Sequence, residues 1–227
     1  MRILCIAAHP DDEVLGCGGT LARFSREGHE TYVAILGEGI TSRHAKREAA
    51  GGAQLEALKA KAANAAKIMG VRELFTFGLP DNRFDTVPLL DVVKVIETLT
   101  AQLQPEIVFT QHGGDLNLDH VVTYRAALTA TRPMAGCPVK HLFAYEVMSS
   151  TEWAFQKYEP AFRPSTFVDI GATLDTKIAA MQNYESEARP FPHPRSPESL
   201  RAAALHWGSV AGLQAAEAFE LVRHIWD

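Results

Sequence analysis

Short apolar runs rich in Ile, Val and Phe recur at residues 2–8, 30–36, 73–77 and 106–110, and each reads as a buried strand. Each is followed by a stretch whose apolar positions repeat with the period of a helix, at 18–26, 53–69, 89–103 and 120–130. Such alternation lays parallel strands side by side with their connecting helices packed above and below. The pattern therefore predicts an α/β fold, a Rossmann-like and mostly parallel sheet with helices on both faces, in a single domain. Gly70 caps the second helix, and Pro105 breaks the third just before a strand. Beyond Pro133 the pattern changes. Residues 139–147 and 166–170 read as two further strands, and 174–188 and 198–225 as helices, the last broken near Gly208 and Gly212. A proline-rich turn at 189–197 separates those helices, and the alanine-rich stretch 202–218 suits helix packing within the core or against another copy in a homo-oligomer. No repeat or linker divides residues 1–227, so 1–135 is expected to form the core and 136–227 to complete the cleft.

The first strand stops at Ala8-His9-Pro10-Asp11-Asp12-Glu13, which crowds ionisable side chains where an apolar run ends. In an open parallel sheet, ligands sit at the carboxyl ends of the strands, where the strand order reverses, here expected between the first and fourth strands. After the fourth strand, Gln111-His112-Gly113-Gly114-Asp115-Leu116-Asn117-Leu118-Asp119-His120 supplies a second polar cluster and then opens a helix. Two clusters distant in sequence should meet at one edge. A catalytic zinc takes three protein ligands from His and carboxylate and keeps one position for water or substrate, a set that His9, Asp12 and His120 fit. Their spacing lets His9 and Asp12 converge from one turn while Asp11 points toward the open position, as candidate general base for attack on an amide. Ferrous iron also suits two histidines and one carboxylate.

Simpler readings stand beside these. Acids in a first helical turn complement the helix dipole, which accounts for Glu13 unless it orients a ligand from behind; neither that nor capping asks for a histidine at the strand end. Asp119 serves as cap or as a support behind the metal ligands. His112 and Asp115 repeat the spacing of His9 and Asp12, but the glycines between them favour substrate contact over metal. Arg43, after the second strand, and Arg83, in the loop that follows the third, are further candidates for substrate contact. Gly16-Cys17-Gly18-Gly19 lies too far from the strand for a dinucleotide loop and reads as close packing of the first helix.

The 227 residues are 47% hydrophobic and 22% charged, with formal net charge -5, so no basic field exists to hold nucleic acid or an anionic membrane. The apolar runs fall short of the roughly 20 residues that span a bilayer, and no leader pattern precedes Arg2, so a cytoplasmic location is expected. Cys5, Cys17 and Cys137 form no CxxC pair, and neither a disulfide nor a thiolate metal site is indicated.

On Ala8-His9-Pro10-Asp11-Asp12-Glu13 followed by Asp119-His120, the chain resembles the LmbE-like (PIG-L) zinc-dependent N-deacetylases, and the likeness extends to 37–43, 65–71 and 215–225. The resemblance implies zinc held by His9, Asp12 and His120, Asp11 as base, and as small-molecule partner an N-acetylglucosamine-type sugar, free or conjugated. One position departs from it. The family carries a histidine three residues before the last ligand, and here Asn117 stands there. An amide is no proton donor of acid strength, so Asn117 is expected to hold the oxyanion by a hydrogen bond. Asp11 then returns the proton to the leaving amine, helped by His193 of Phe191-Pro192-His193-Pro194-Arg195. The alternative is a metal-containing carbohydrate-binding protein with little turnover.

Overall fold

Among residues 1–43 and 51–226, which the computed structural model describes, the first half of the chain alternates strand and helix without exception. It runs β1 (Arg2–Ala7), α1 (Asp12–Arg26), β2 (Glu30–Gly37), α2 (Gly52–Met69), β3 (Glu73–Leu79), α3 (Leu89–Leu103), β4 (Ile107–Gln111) and α4 (Leu118–Ala130). β5 (His141–Tyr145), β6 (Thr166–Asp169), α5 (Leu174–Asn183), α6 (Pro197–Ala211) and β7 (Ala216–His224) follow. The seven strands form one sheet in the order β3-β2-β1-β4-β5-β7-β6. β1 to β5 pair in parallel, and β7 lies antiparallel between β5 and β6. The order reverses between β1 and β4, so their carboxyl ends open a crevice into which both polar clusters emerge.

The period-2 geometry of β1 divides the interior. Ile3, Cys5 and Ala7 join a core shared with α1, α2 and α5, whereas Leu4, Ile6 and Ala8 join one shared with α3 and α4. Because both faces are covered, β1 and β2 are apolar at successive positions instead of alternating. No helix among the described residues is long and apolar enough to cross a membrane.

α1 begins at Asp12, earlier than its apolar repeat indicates, because Asp12 and Glu13 occupy a first turn that favours acids. It is broken at Cys17 (φ -143, ψ 23). There the amides of Gly19 and Thr20 donate to Glu217 at 2.9 and 2.7 Å, and the Leu15 carbonyl accepts from Lys177 Nζ at 2.8 Å. Lys177 also donates to Glu217 at 2.6 Å, so α5 and β7 together satisfy the polar groups freed by the kink. The glycines beside it admit close neighbours. A Cβ at Gly16 would lie 2.1 Å from the Tyr145 ring, which is itself fixed by donation to the Ile6 carbonyl at 2.8 Å. Gly16→Ala is expected to lower stability by about 1–3 kcal/mol through overpacking, read from the urea midpoint. An unchanged midpoint would mean that Tyr145 has room to swing away.

Two C-terminal expectations are corrected. The helix expected over 174–188 stops at Asn183, after which Tyr184 turns inward to donate to Glu13 Oε1 at 2.7 Å. The helix expected over 198–225 ends at Ala211, where Gly212 takes a left-handed conformation (φ 72) and donates to the Gly208 carbonyl. Alanine favours helix in isolation, but pairing with β5 and β6 overrides that propensity in β7. Ala216 and Ala218 are buried there, and Phe219 meets Phe109 with ring centroids 4.9 Å apart.

Candidate metal centre and catalytic cleft

β1 delivers His9 to the crevice, and the turn after it splits the two aspartates. Asp11 sits in the left-handed region (φ 106), a placement that costs about 1–3 kcal/mol for a non-glycine residue unless its surroundings enforce it. Here they do. The Asp11 carbonyl accepts the amides of Val14 and Leu15 at 3.0 and 2.9 Å, and its own amide donates to Glu13 Oε2 at 3.0 Å. Glu13 thus supports the turn from behind, and burial lifts its carboxyl to about 7 against the hydrogen bond from Tyr184.

Asp12 is the hub. Its Oδ2 accepts from the His9 amide at 2.8 Å and from Gln111 Nε2 at 2.9 Å, and it faces His9 Nδ1 at 3.4 Å and His120 Nε2 at 3.3 Å. Each imidazole turns its other nitrogen to a carboxylate: His9 Nε2 lies 2.9 Å from Asp119 Oδ2, and His120 Nδ1 lies 3.2 Å from Asp115 Oδ1. Those carboxylates are fixed in turn. Asp119 accepts from the Phe84 amide at 2.9 Å, and Asp115 accepts from Thr151 Oγ1 at 2.6 Å, from the Asn117 amide at 2.7 Å and from the Ser150 hydroxyl. Carboxylate-backed imidazoles of this kind have a set tautomer and strengthened basicity, the usual outer support of metal-binding histidines.

The electrostatics call for a cation. Burial alone would depress His9, but hydrogen bonds with Asp119 and Asp12 outweigh it and raise the pKa to about 10. At His120, burial is likewise outweighed by the charge of Asp12 and the bond with Asp115, giving about 9. Asp12, although buried, is held well below the ordinary carboxylate range by His120 and His9. Positive charge is therefore favoured at this point, as protons or as a divalent ion. The rings of His9 and His120 are 5.4 Å apart, and donor atoms of His9, Asp12 and His120 all lie within 4.8 Å of one another. Two imidazoles and one carboxylate fit a borderline divalent metal. His9, Asp81 and Asp119 form a second group as tight, but it offers one nitrogen only.

A cleft of about 180 Å³ opens over this cluster, room for a ligand several times larger than a water at ~30 Å³. Ile40 and Ser42 border it after β2, Asp81 and Asn82 after β3, Asn117 before α4, and Ser149, Glu187 and Arg195 from the C-terminal part.

Residues 4–131, which run from within β1 to the end of α4 and carry all three donors, match the GlcNAc-PI de-N-acetylase (PIG-L) family. The chain belongs to that family. Uncharacterized deacetylase YaiS of Escherichia coli (strain K12) is 29% identical over 198 residues, covering 81% of this chain and 90% of that protein. Diacetylchitobiose deacetylase of Thermococcus kodakarensis is 23% identical, over 99% of this chain and 84% of that one. 4-oxalmesaconate hydratase of Pseudomonas putida is 29% identical, over 79% and 71%. Among solved structures, the conserved protein TT1542 of Thermus thermophilus superposes with TM-score 0.76 at 28% identity, over 99% of this chain and 96% of that one.

Within this PIG-L frame, several expected substrate contacts lie elsewhere. His112 is buried with Nε2 2.7 Å from the Pro160 carbonyl and Nδ1 2.9 Å from Glu220 Oε2. The glycines after it admit protein, not substrate: a Cβ at Gly114 would fall 1.9 Å from the Pro160 carbonyl. Asp115 points at His120 and away from the cleft. Arg83 is exposed outside the cleft, while its neighbours Asp81 and Asn82 border it. The side chain of Arg43 lies outside the described residues. Asn117 caps α4 by accepting the Asp119 amide at 2.9 Å, and its Nδ2 donates to Asn82 Oδ1 at 3.1 Å on the cleft wall. His193 does not border the cleft. Its ring packs edge-on against Trp153 at 5.6 Å, its Nδ1 accepts the Arg195 amide at 3.1 Å, and burial together with Arg195 and Arg189 lowers its pKa. His193→Gln is expected to leave turnover within about twofold, the span of an effect near 0.5 kcal/mol, in initial rates of amine release.

Arg195, two residues further on, is the residue that sequence reasoning passed over. Its Nη1 lies 2.5 Å from Asp11 Oδ2 and 3.4 Å from Glu187 Oε2, and its Nε donates to Ser149 Oγ at 2.7 Å. Burial pushes the Asp11 carboxyl well above its ordinary range; Arg195 opposes this, and Asp12, Glu187 and Glu13 add to it. The rigid proline-rich loop was a visible signal, but nothing in the spacing ties it to Asp11.

Proposed function

We propose that the protein is a metal-dependent N-deacetylase that hydrolyses the acetamide of an N-acetylglucosamine-type sugar, free or conjugated, with zinc as its metal. The observation that carries this reading is the convergence of His9, Asp12 and His120 beside a separate buried carboxylate, Asp11, that is engaged with Arg195 and is not one of the three donors. When bound, the divalent ion supplies Lewis acidity and an acidified water. Asp11 takes a proton from the attacking water as the new C–O bond forms and the carbonyl π bond opens to an oxyanion, then passes that proton to the nitrogen as the C–N bond breaks and the C=O bond closes again, releasing acetate and amine. Asn117, its Oδ1 engaged as a cap, keeps an Nδ2 hydrogen for the carbonyl oxygen.

The deacetylase relatives support this chemistry, and the hydratase relative marks a rival in which water adds to a carbon-carbon double bond. The cleft wall favours the first. Among the described residues that border it, the four carboxylates of Asp11, Asp12, Asp81 and Glu187 outnumber the charge of Arg195 and a bound divalent ion together, a balance that suits an uncharged sugar better than a carboxylate substrate. The test is incubation of metal-analysed protein with a panel of acetamido sugars and conjugates, read by mass spectrometry for replacement of acetyl by hydrogen. Amine release that a chelator abolishes and zinc restores is the expected result. Binding without release would favour a carbohydrate-binding protein, and restoration by ferrous iron alone would change the metal.

A further inference from the structure

We infer that Arg195 is a positioning residue for Asp11, holding one oxygen of that carboxylate so that the other is presented to the reacting water. The inference rests on the deacetylase reading and adds to it a residue from outside 4–131, the segment that matches the family.

Backbone geometry sets up the need. Asp11 enters the cleft from a left-handed turn, and its own hydrogen bonds to the turn are made by main-chain atoms, not by its carboxylate. Nothing within the motif therefore fixes how the carboxylate rotates. Arg195 supplies that constraint through Nη1 on Oδ2 at 2.5 Å, which leaves Oδ1 for the proton. The guanidinium is itself held from two other segments: Nε donates to Ser149 Oγ at 2.7 Å and Nη1 reaches Glu187 Oε2 at 3.4 Å. A planar fork anchored along one edge keeps its direction, which a lysine ammonium on a flexible stem does not. The loop after β5 and the two C-terminal turns thereby orient a base that belongs to the first strand's motif.

The experiment compares wild type, R195A, R195K and the double variant D11N/R195A, all metal-loaded, by steady-state release of amine, with unfolding midpoints as a check on folding. R195A is expected to lose about 10²-fold in kcat, as a misplaced catalytic group does, with KM changed far less. R195K should recover part of that loss, and millimolar guanidinium should accelerate R195A but not D11N/R195A. Retention of kcat within twofold in R195A, or a loss that falls on KM alone, overturns the inference, the second outcome marking Arg195 as a substrate ligand. If wild type releases no amine from any acetamido sugar with any divalent metal, the deacetylase reading falls. The clamp is then judged by a double-mutant cycle on unfolding, where additive effects of D11N and R195A overturn it and coupling supports it.

Discussion

Asp11→Asn is expected to cut kcat by about 10²–10⁴-fold while bound metal and KM stay near the wild-type values. The substitution suits the site. Asn is among the few side chains that tolerate a left-handed backbone, so the turn at φ 106 survives, and its amide can still meet Arg195 or Glu187. What disappears is the group able to accept a proton from water. Asp12→Asn, one position on, should act differently, because Asp12 Oδ2 faces both imidazoles and its loss removes a metal donor. Metal content measured beside steady-state amine release separates the two, and D11N retaining turnover within tenfold would remove Asp11 from the mechanism. Wild-type pH dependence gives a second reading. The base must be ionised to act, and the Asp11 pKa is raised by burial and neighbouring carboxylates, with Arg195 opposing. The acid limb of kcat/KM should therefore follow Asp11, with activity lost as pH falls through its pKa, which a bound divalent ion lowers from the metal-free position as Arg195 does, and in D11N that limb should vanish with the activity.

The alternation of apolar runs with helical stretches was enough to place β1 and β4 beside each other, since a parallel order with its reversal at that point follows from a general rule of such sheets. From there, the meeting of the His9 turn with the His120 helix is legible in the sequence. Spacing was less informative about supporting residues. His112 and Asp115 copy the separation of His9 and Asp12, yet one ring turns to Pro160 and Glu220 while the carboxylate turns to His120. A spacing shows what can share a turn, not which way the turn faces. The alanines of β7 were misread because single-residue propensity carries no knowledge of the two strands waiting to pair with them. Arg195 was invisible for a related reason: 184 residues separate it from Asp11, and only the packed C-terminal turns bring them together.

Stripping the metal should make stability fall as pH rises, and restoring zinc should abolish that dependence. In the metal-free protein His9 and His120 have pKa values of about 10 and about 9, against 6.5 for an unhindered imidazole. Native protein therefore holds protons that the unfolded chain releases. The resulting stabilisation is complete below about pH 6.5 and is lost as pH climbs through about 9 to 10. Each proton retained only in the native state contributes a slope of about 1.4 kcal/mol per pH unit within that window, which for a chain of this size is about 3–6 °C in Tm. Two histidines sharing Asp12 do not contribute independently, so the expected fall lies between the one-proton and two-proton slopes. A divalent ion on the same donors replaces those protons, and its affinity rises with pH as the imidazoles shed them. Thermal melts of chelated and zinc-loaded protein between pH 6.5 and 9.5 should accordingly diverge, the gap widening with pH. Parallel curves would mean that the ion binds elsewhere. His120→Ala, which removes one donor and leaves Asp115 and Asp12 without their shared partner, should erase the gap.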